Sequence, residues 1–425
     1  MIARFAPLST RLRLVLALFP FMFAAASAAQ ENFYLHNGDT VVFYGDSITD
    51  QRLYTTFVET FVLTRFPEMQ VRFVHSGWGG DRVTGGGGGG TIDERLERDV
   101  IAYRPTVMTV MLGMNDGGYR AFDEGLFKKY CAGYQHIVDI MKQRVPGLRM
   151  TLLQPSPFDD FTREPQFPGG YNSVLVRYGE FVKELAEKNG LAVADLNGPM
   201  VEVLRKAATV DSALAQRIIP DRVHPGPAGH LIMALSLLKA WRATPVVTAV
   251  EIDVPSAQVR RAVNTTVTGL TTGSSVSWTQ KDKSLPMPVN MKDPVTAFAV
   301  RLSNFTDALN QQTLKVTGLS AKLYTLKING TQVGSFTSEQ FQNGLNLAEI
   351  ETPMAKQAAE VHNLTMKRTA VHQMRWREVQ MAFRNDNLLR VPSILDNLDA
   401  LDADIGARQK AAAQPAATFY ELIAQ

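Results

Sequence analysis

The sequence predicts an α/β fold between about residues 40 and 243, with a parallel sheet covered on both faces by helices. Three observations carry this. Near-continuous apolar runs occur at 41–44, 71–74, 107–112, 150–153 and 191–194. Amphipathic helical patterns separate or follow them at 54–66, 92–103, 122–144, 171–189 and 228–241. Strands apolar on both sides, alternating with such helices, belong to sheets buried on both faces.

Ahead of this domain, Arg4, Arg11 and Arg13 precede an apolar run over 14–23 and the small residues Ala24, Ala25, Ala26, Ser27, Ala28 and Ala29. That order reads as a secretory signal over residues 1–29, and the run is too short to span a membrane. A secreted or periplasmic protein with no stable membrane span is expected. The leader holds three Arg and no acid, so it accounts for the whole formal charge of +3. The neutral remainder offers no basic face for nucleic acid. Cys131 is the only cysteine and allows no intrachain disulfide. Its neighbours Tyr130, Ala132 and Tyr134 lie in a helical pattern, which points to a buried, inert thiol.

The first strand, Val41 to Tyr44, runs into Gly45, Asp46 and Ser47 just before a helical pattern. Ser47 therefore stands at the carboxyl end of a parallel strand and near the positive end of a helix dipole, a suitable place for a nucleophile. A helix cap would use the same residues. The second strand ends in His75, Ser76, Gly77, Trp78, Gly79, Gly80 and Asp81, a glycine-rich turn whose amides can face an anion. The glycine run 85–90 follows, readable as a linker or as a mobile loop at the rim of the site. The third strand ends in Gly113, Met114, Asn115 and Asp116, where a side-chain amide can donate. Asp221 and His224, spaced i, i+3 in Asp-Arg-Val-His-Pro, let a carboxylate reach an imidazole. His230 reads as structural.

From residue 244 the pattern changes to short β-branched stretches at 246–254 and 263–267. Residues 324–328 and 331–336 flank Asn329-Gly330, a strong hairpin signal, because Asn-Gly supplies the positive φ angles of a type I′ turn. A β-rich accessory unit is expected over 244–345. A helical region is expected over 346–425, patterned at 355–383 and through Leu395, Leu398, Leu401 and Ile405, with a Pro-Ala break at 411–417 before a final segment 419–423.

The four motif-bearing segments, in this order and spacing, resemble the SGNH hydrolases, also called the GDSL family of lipases and acylhydrolases, over about residues 38–243. Ser47 stands in the first block, Gly80 in the second, Asn115 in the third, and Asp221 with His224 in the last. His75 departs from the pattern, occupying a place where the family has Asn, and is expected to be a packed supporting residue. The resemblance implies a three-layer α/β/α sandwich with a five-stranded parallel sheet, flavodoxin-like in architecture. It also implies a serine esterase with catalytic Ser47, Asp221 and His224, an oxyanion hole from Ser47, Gly80 and Asn115, and no metal or organic cofactor.

The expected substrate is a small-molecule or polysaccharide ester with a short acyl group, such as a carbohydrate O-acetyl ester. Trp78, beside the oxyanion glycine, could stack on a sugar ring or line the core. Lipase, lysophospholipase and acyltransferase activities use the same blocks, and a glycan-binding protein with an accessory hydrolase domain is an alternative from another class. The oligomeric state is open. Since all four blocks precede residue 244, a fragment spanning 30–243 is expected to hold the complete machinery.

Overall fold

A computed structural model describes residues 33–425, so the leader-like stretch 1–29 lies outside the described residues. Five parallel strands build the first sheet: β1 (Thr40–Gly45), β2 (Arg72–Gly77), β3 (Val107–Met111), β4 (Arg149–Gln154) and β5 (Ala192–Asp195). They lie in the order β2-β1-β3-β4-β5. Every residue of β3 is buried, as the near-continuous apolar run Val-Met-Thr-Val-Met demands of a central strand covered on both sides. The layers above and below include helices Leu53–Arg65, Glu124–Arg144, Asn172–Asn189 and Pro227–Ala240, within a residue or two of the sequence patterns. The helix Gly198–Val210, which the hydrophobic pattern did not reveal, begins with a proline in its first turn. This is the expected three-layer α/β/α sandwich. The chain departs in opposite directions from β1 and β3, so their carboxyl ends form the crevice where such sheets gather ligand-binding loops.

Two further sheets follow. One is four-stranded, in the order β13-β10-β6-β7, from β6 (Val246–Asp253), β7 (Gln258–Val263), β10 (Gln311–Thr317) and β13 (Leu345–Asn346). The other is antiparallel, in the order β12-β11-β14-β9-β8, from β8 (Thr265–Thr271), β9 (Ser275–Asp282), β11 (Leu323–Ile328), β12 (Thr331–Thr337) and β14 (Ala417–Ala424). Val250, Ile252, Trp278, Leu314, Leu326, Tyr420 and Leu422 share one buried core. The β11–β12 hairpin turns through Asn329 (φ 49°) and Gly330 (φ 76°), as the Asn-Gly pair predicted.

The divisions at residues 244 and 346 are crossed in several places. Met287, Val295, Phe298, Phe305 and Leu309 join the core of the α/β layers. Arg65, wholly enclosed, donates to the carbonyls of Thr244, Val246 and Leu309. Strand β14 pairs with β9 and β11 in the middle of the second sheet, so the stretch beyond 346 is not helical throughout. The helix Pro353–Gln373 lies on Leu53–Arg65, where His362 stacks on Phe57 at 5.2 Å and its Nδ1 meets Thr60 Oγ1 at 3.0 Å. That helix continues without a break into a π-helical stretch, Met374–Met381, and Val391–Ala413 packs beside it through a bidentate Arg368–Asp402 pair. Among the described residues, no helix is long and apolar enough to cross a membrane. Cys131 is half-buried rather than enclosed, and burial pushes its thiol up to about 11, which keeps it protonated.

Candidate active site

Ser47 opens the short helix Ser47–Asp50 directly after β1, and the Asp46 side chain caps that helix, its Oδ1 accepting from the Ile48 amide at 3.0 Å. The turn is pressed against β2: a Cβ on Gly77 would lie 2.1 Å from the Asp50 nitrogen, so only glycine permits this approach. Ser47 Oγ lies 2.8 Å from His224 Nε2, and His224 Nδ1 lies 2.7 Å from Asp221 Oδ2. The other Asp221 oxygen accepts from the backbone amides of His224 (2.7 Å) and Val223 (3.0 Å). Burial alone would raise the Asp221 carboxyl, but these amide bonds and the imidazole outweigh it and hold the group below its ordinary range. An ionised Asp221 favours the proton on Nδ1, which leaves Nε2 free to accept from the serine hydroxyl. The loop is fixed by Arg222, at φ 72°, whose carbonyl accepts from the Asp159 amide and whose guanidinium returns a bond to the Asp159 carbonyl.

Asn115 is fixed at both ends of its side chain. Its Oδ1 accepts from the Tyr119 hydroxyl at 2.9 Å, and its Nδ2 donates one hydrogen to the Asp81 carbonyl at 3.0 Å. The turn from Trp78 to Asp81 is closed by the Asp81 amide donating to the Trp78 carbonyl, and Trp78 itself donates to the Gly45 carbonyl. Among the described residues, the amides of Ser47 and Gly80 have no protein acceptor, and the second Asn115 amide hydrogen is likewise free. The three groups named for an oxyanion hole are therefore uncommitted donors.

Two sequence expectations need correction. Trp78 is only 6% exposed: the Arg377 guanidinium lies over its ring at 3.4 Å, Arg95 at 5.0 Å and Arg98 at 5.4 Å, while Trp376 meets it edge-on. Its faces are occupied, so it cannot stack on a sugar. The glycine run is packed rather than a linker. Gly87 accepts from Trp78 Nε1 at 2.8 Å, Gly89 accepts from Arg98, and five of the six glycines have positive φ. His75 is the packed residue expected, buried between Thr55 Oγ1 (2.7 Å) and Glu59 Oε2 (3.0 Å). His230 is enclosed and accepts from the Tyr54 amide. Its other nitrogen meets Gln51 Oε1, and burial, then the nearby His224, pushes it down to about 3.

Sequence reasoning missed four participants. Tyr119, at φ 55°, fixes the Asn115 amide, and the preceding Gly117-Gly118 pair is the only local hint of such a bend. Asp116, next to Asn115, is buried with one oxygen on the Val83 amide and the other without a protein partner among the described residues. Burial pushes it up to about 7 and raises Asp46 to about 8. Asp50 Oδ2 accepts from the Gly79 amide at 3.3 Å. Arg377 comes from the distant π-helical stretch, and no local pattern announces it.

Residues 43–232 match the GDSL-like Lipase/Acylhydrolase family. An acetylxylan esterase from Geobacillus stearothermophilus is 28% identical over 225 residues, 48% of this chain and 94% of that protein. The crystal structure of Axe2, an acetylxylan esterase of the same organism, covers 49% of this chain and 96% of its own at 26% identity, with a TM-score of 0.41. A gut microbial diltiazem-metabolizing enzyme covers 93% of this chain and all of its own at 25% identity, with a TM-score of 0.81. Its likeness therefore extends through the β-rich sheets and the C-terminal helices.

Proposed function

Because residues 43–232 belong to the GDSL-like lipase/acylhydrolase family, a family of esterases, we propose that this chain is a secreted serine esterase that removes short acyl groups, acetyl on carbohydrate foremost. The observation that carries the mechanism is the unbroken string from Ser47 Oγ through His224 to Asp221. His224 Nε2 takes the hydroxyl proton as Ser47 Oγ bonds to the ester carbonyl carbon. The carbonyl oxygen becomes an oxyanion, met by the amides of Ser47 and Gly80 and by Asn115 Nδ2. His224 then returns the proton to the leaving alcohol as the ester C–O bond breaks, leaving Ser47 acylated. Water, deprotonated by His224, attacks the acyl-enzyme, and the acid departs as Ser47 regains its proton. Secretion rests on the leader-like residues 1–29.

The acetyl preference rests on the acetylxylan esterase relative and not on Trp78, whose ring is covered. The test is a hydrolysis screen on p-nitrophenyl esters of rising chain length beside acetylated xylooligosaccharides, with Ser47→Ala as the control and an organophosphonate as the label. Acetate is expected to turn over fastest, acetyl release from the oligosaccharide to be detected, and both turnover and labelling to vanish in the variant. A preference for long acyl chains would overturn the substrate assignment, and an active Ser47→Ala enzyme would overturn the mechanism.

A further inference from the structure

The C-terminal segment reaches the turn that carries Gly80 by two separate strings of contacts. In the first, the Arg377 guanidinium lies over the Trp78 ring, 3.4 Å from its centroid, and its Nη1 stands 3.8 Å from Asp50 Oδ2. That same Asp50 oxygen accepts from the amide of Gly79, the neighbour of Gly80. In the second, Trp376 Nε1 donates to Asp99 Oδ1 at 2.9 Å. Asp99 pairs with the enclosed Arg95, and Arg95 Nε holds Asp81 Oδ2 at 3.1 Å, while the Asp81 carbonyl receives the Asn115 amide. One string ends at Gly79-Gly80 and the other at Asn115. Both begin on adjacent residues of the π-helical stretch Met374–Met381. Such stretches widen a helix locally and recur at functional sites, because the extra residue re-aims side chains.

Arg377 is also poised. Its Nη1 is buried without a hydrogen-bond partner, and both the ion pair to Asp50 and the Asp50–Gly79 bond are long. Hydrogen bonds that are long in a free enzyme commonly tighten when charge develops, and these two share the Asp50 Oδ2 atom. We infer that Arg377 is a positioning residue for ester hydrolysis: through Trp78 and Asp50 it holds the Gly79-Gly80 turn so that the Gly80 amide stays in line for the oxyanion. The α/β layers thus depend on the C-terminal region for their rate. This rests on the assignment of Ser47, Gly80 and Asn115 made above.

The experiment measures kcat and KM on p-nitrophenyl acetate, per serine titrated with an organophosphonate, for Arg377→Ala, Arg377→Lys and Asp50→Asn in the full chain. Arg377→Ala is expected to lose roughly tenfold to a hundredfold in kcat with KM little changed, as a displaced amide would cause. Methylguanidinium added to that variant should restore part of the rate. Arg377→Lys should recover little, because an ammonium group cannot lie flat on the indole and face Asp50 together. The Arg377→Lys/Asp50→Asn double variant should be no slower than the slower single one, since both act on one string. Should Arg377→Ala fail to fold, the lysine and asparagine variants still decide the matter. A kcat per titrated site within about twofold of the parent in all variants would overturn the inference, as would a rise in KM alone, which would make Arg377 a substrate contact. Ser47→Ala separates the two levels: if it is inactive while the Arg377 variants are not slowed, only this inference falls.

Discussion

Replacing Gly87 with alanine tests whether the glycine run sets the geometry of the oxyanion turn. A Cβ at Gly87 would stand 1.8 Å from the Gly79 carbonyl oxygen, 2.9 Å from its carbon and 3.1 Å from Trp78 Cδ1. Ordinary contact needs about 3.5 Å, so either the Gly79-Gly80 backbone or the glycine loop must retreat by roughly 1.7 Å. If the turn moves, the Gly80 amide leaves its place. If the loop moves, Trp78 loses its acceptor and the turn its brace. Displacement of a reacting geometry by about 1 Å can lower a rate on the order of 10²-fold, so kcat should fall by about that factor. Gly88→Ala supplies the control. Gly87 has φ +57° and Gly88 φ +80°, but a Cβ at Gly88 meets nothing within 4 Å. Both variants therefore carry the left-handed alanine penalty of roughly 1–2 kcal/mol, and only one carries the clash. The assay is p-nitrophenyl acetate turnover per titrated serine, with thermal melting to confirm folding. If Gly87→Ala were as fast as Gly88→Ala, the turn would not be braced by the glycine run.

Asn115→Ala should lower kcat on the order of 10²- to 10³-fold, and Tyr119→Phe, which removes one of the two bonds that fix the amide, should lower it by about tenfold. If the double variant lost the product of the two factors, the residues would act independently and the positioning by Tyr119 would fail. Asp221→Asn should lower the rate by roughly 10²-fold or more by leaving the imidazole in the wrong tautomer, with melting little changed. Normal turnover in that variant would remove Asp221 from its role. Asp116 is held near 7 in the fold against about 4 in an unfolded chain, so the folded state keeps a proton that the unfolded state releases. Stability therefore falls as pH rises through that window. Asp116→Asn, which can still accept from the Val83 amide, should gain on the parent from pH 4 to 7 and hold the gain above it. Equal differences in urea midpoint at pH 5 and pH 8 would refute this.

The sheet and the residues Ser47, Gly80, Asn115, Asp221 and His224 were legible because each sits where a local pattern ends, at a strand terminus or in a five-residue loop. Asp221 and His224 are three apart, and their contact needs no distant partner. Trp78 was misread for the opposite reason. Its local context, a glycine-rich turn at a strand end, is that of a ligand platform, and what covers it comes from Arg377 and Trp376. Contacts at that separation leave no periodicity in the chain. The expectation that residues 30–243 hold the complete machinery was drawn without these contacts: that fragment lacks the Arg377 that covers Trp78 and the Trp376 partner of Asp99. Strand β14 did carry a signal, with Thr418, Tyr420 and Leu422 buried in alternation, but a Pro-Ala stretch just before it obscured the start.

Strand β14 also dictates an order of assembly. It pairs on one side with β9, where Thr418 bonds the Gln280 carbonyl across 138 residues of chain, and on the other with β11. Both neighbours are synthesised before it. Until it arrives, β8–β9 and β11–β12 can exist only as separate hairpins, each with an inner edge of unpaired amides and carbonyls awaiting the same insert. Open edges of that kind recruit other chains, and closing a long loop is slow. Refolding yield should therefore fall with protein concentration, and a free peptide of residues 417–424, added during refolding, should compete for the gap between β9 and β11.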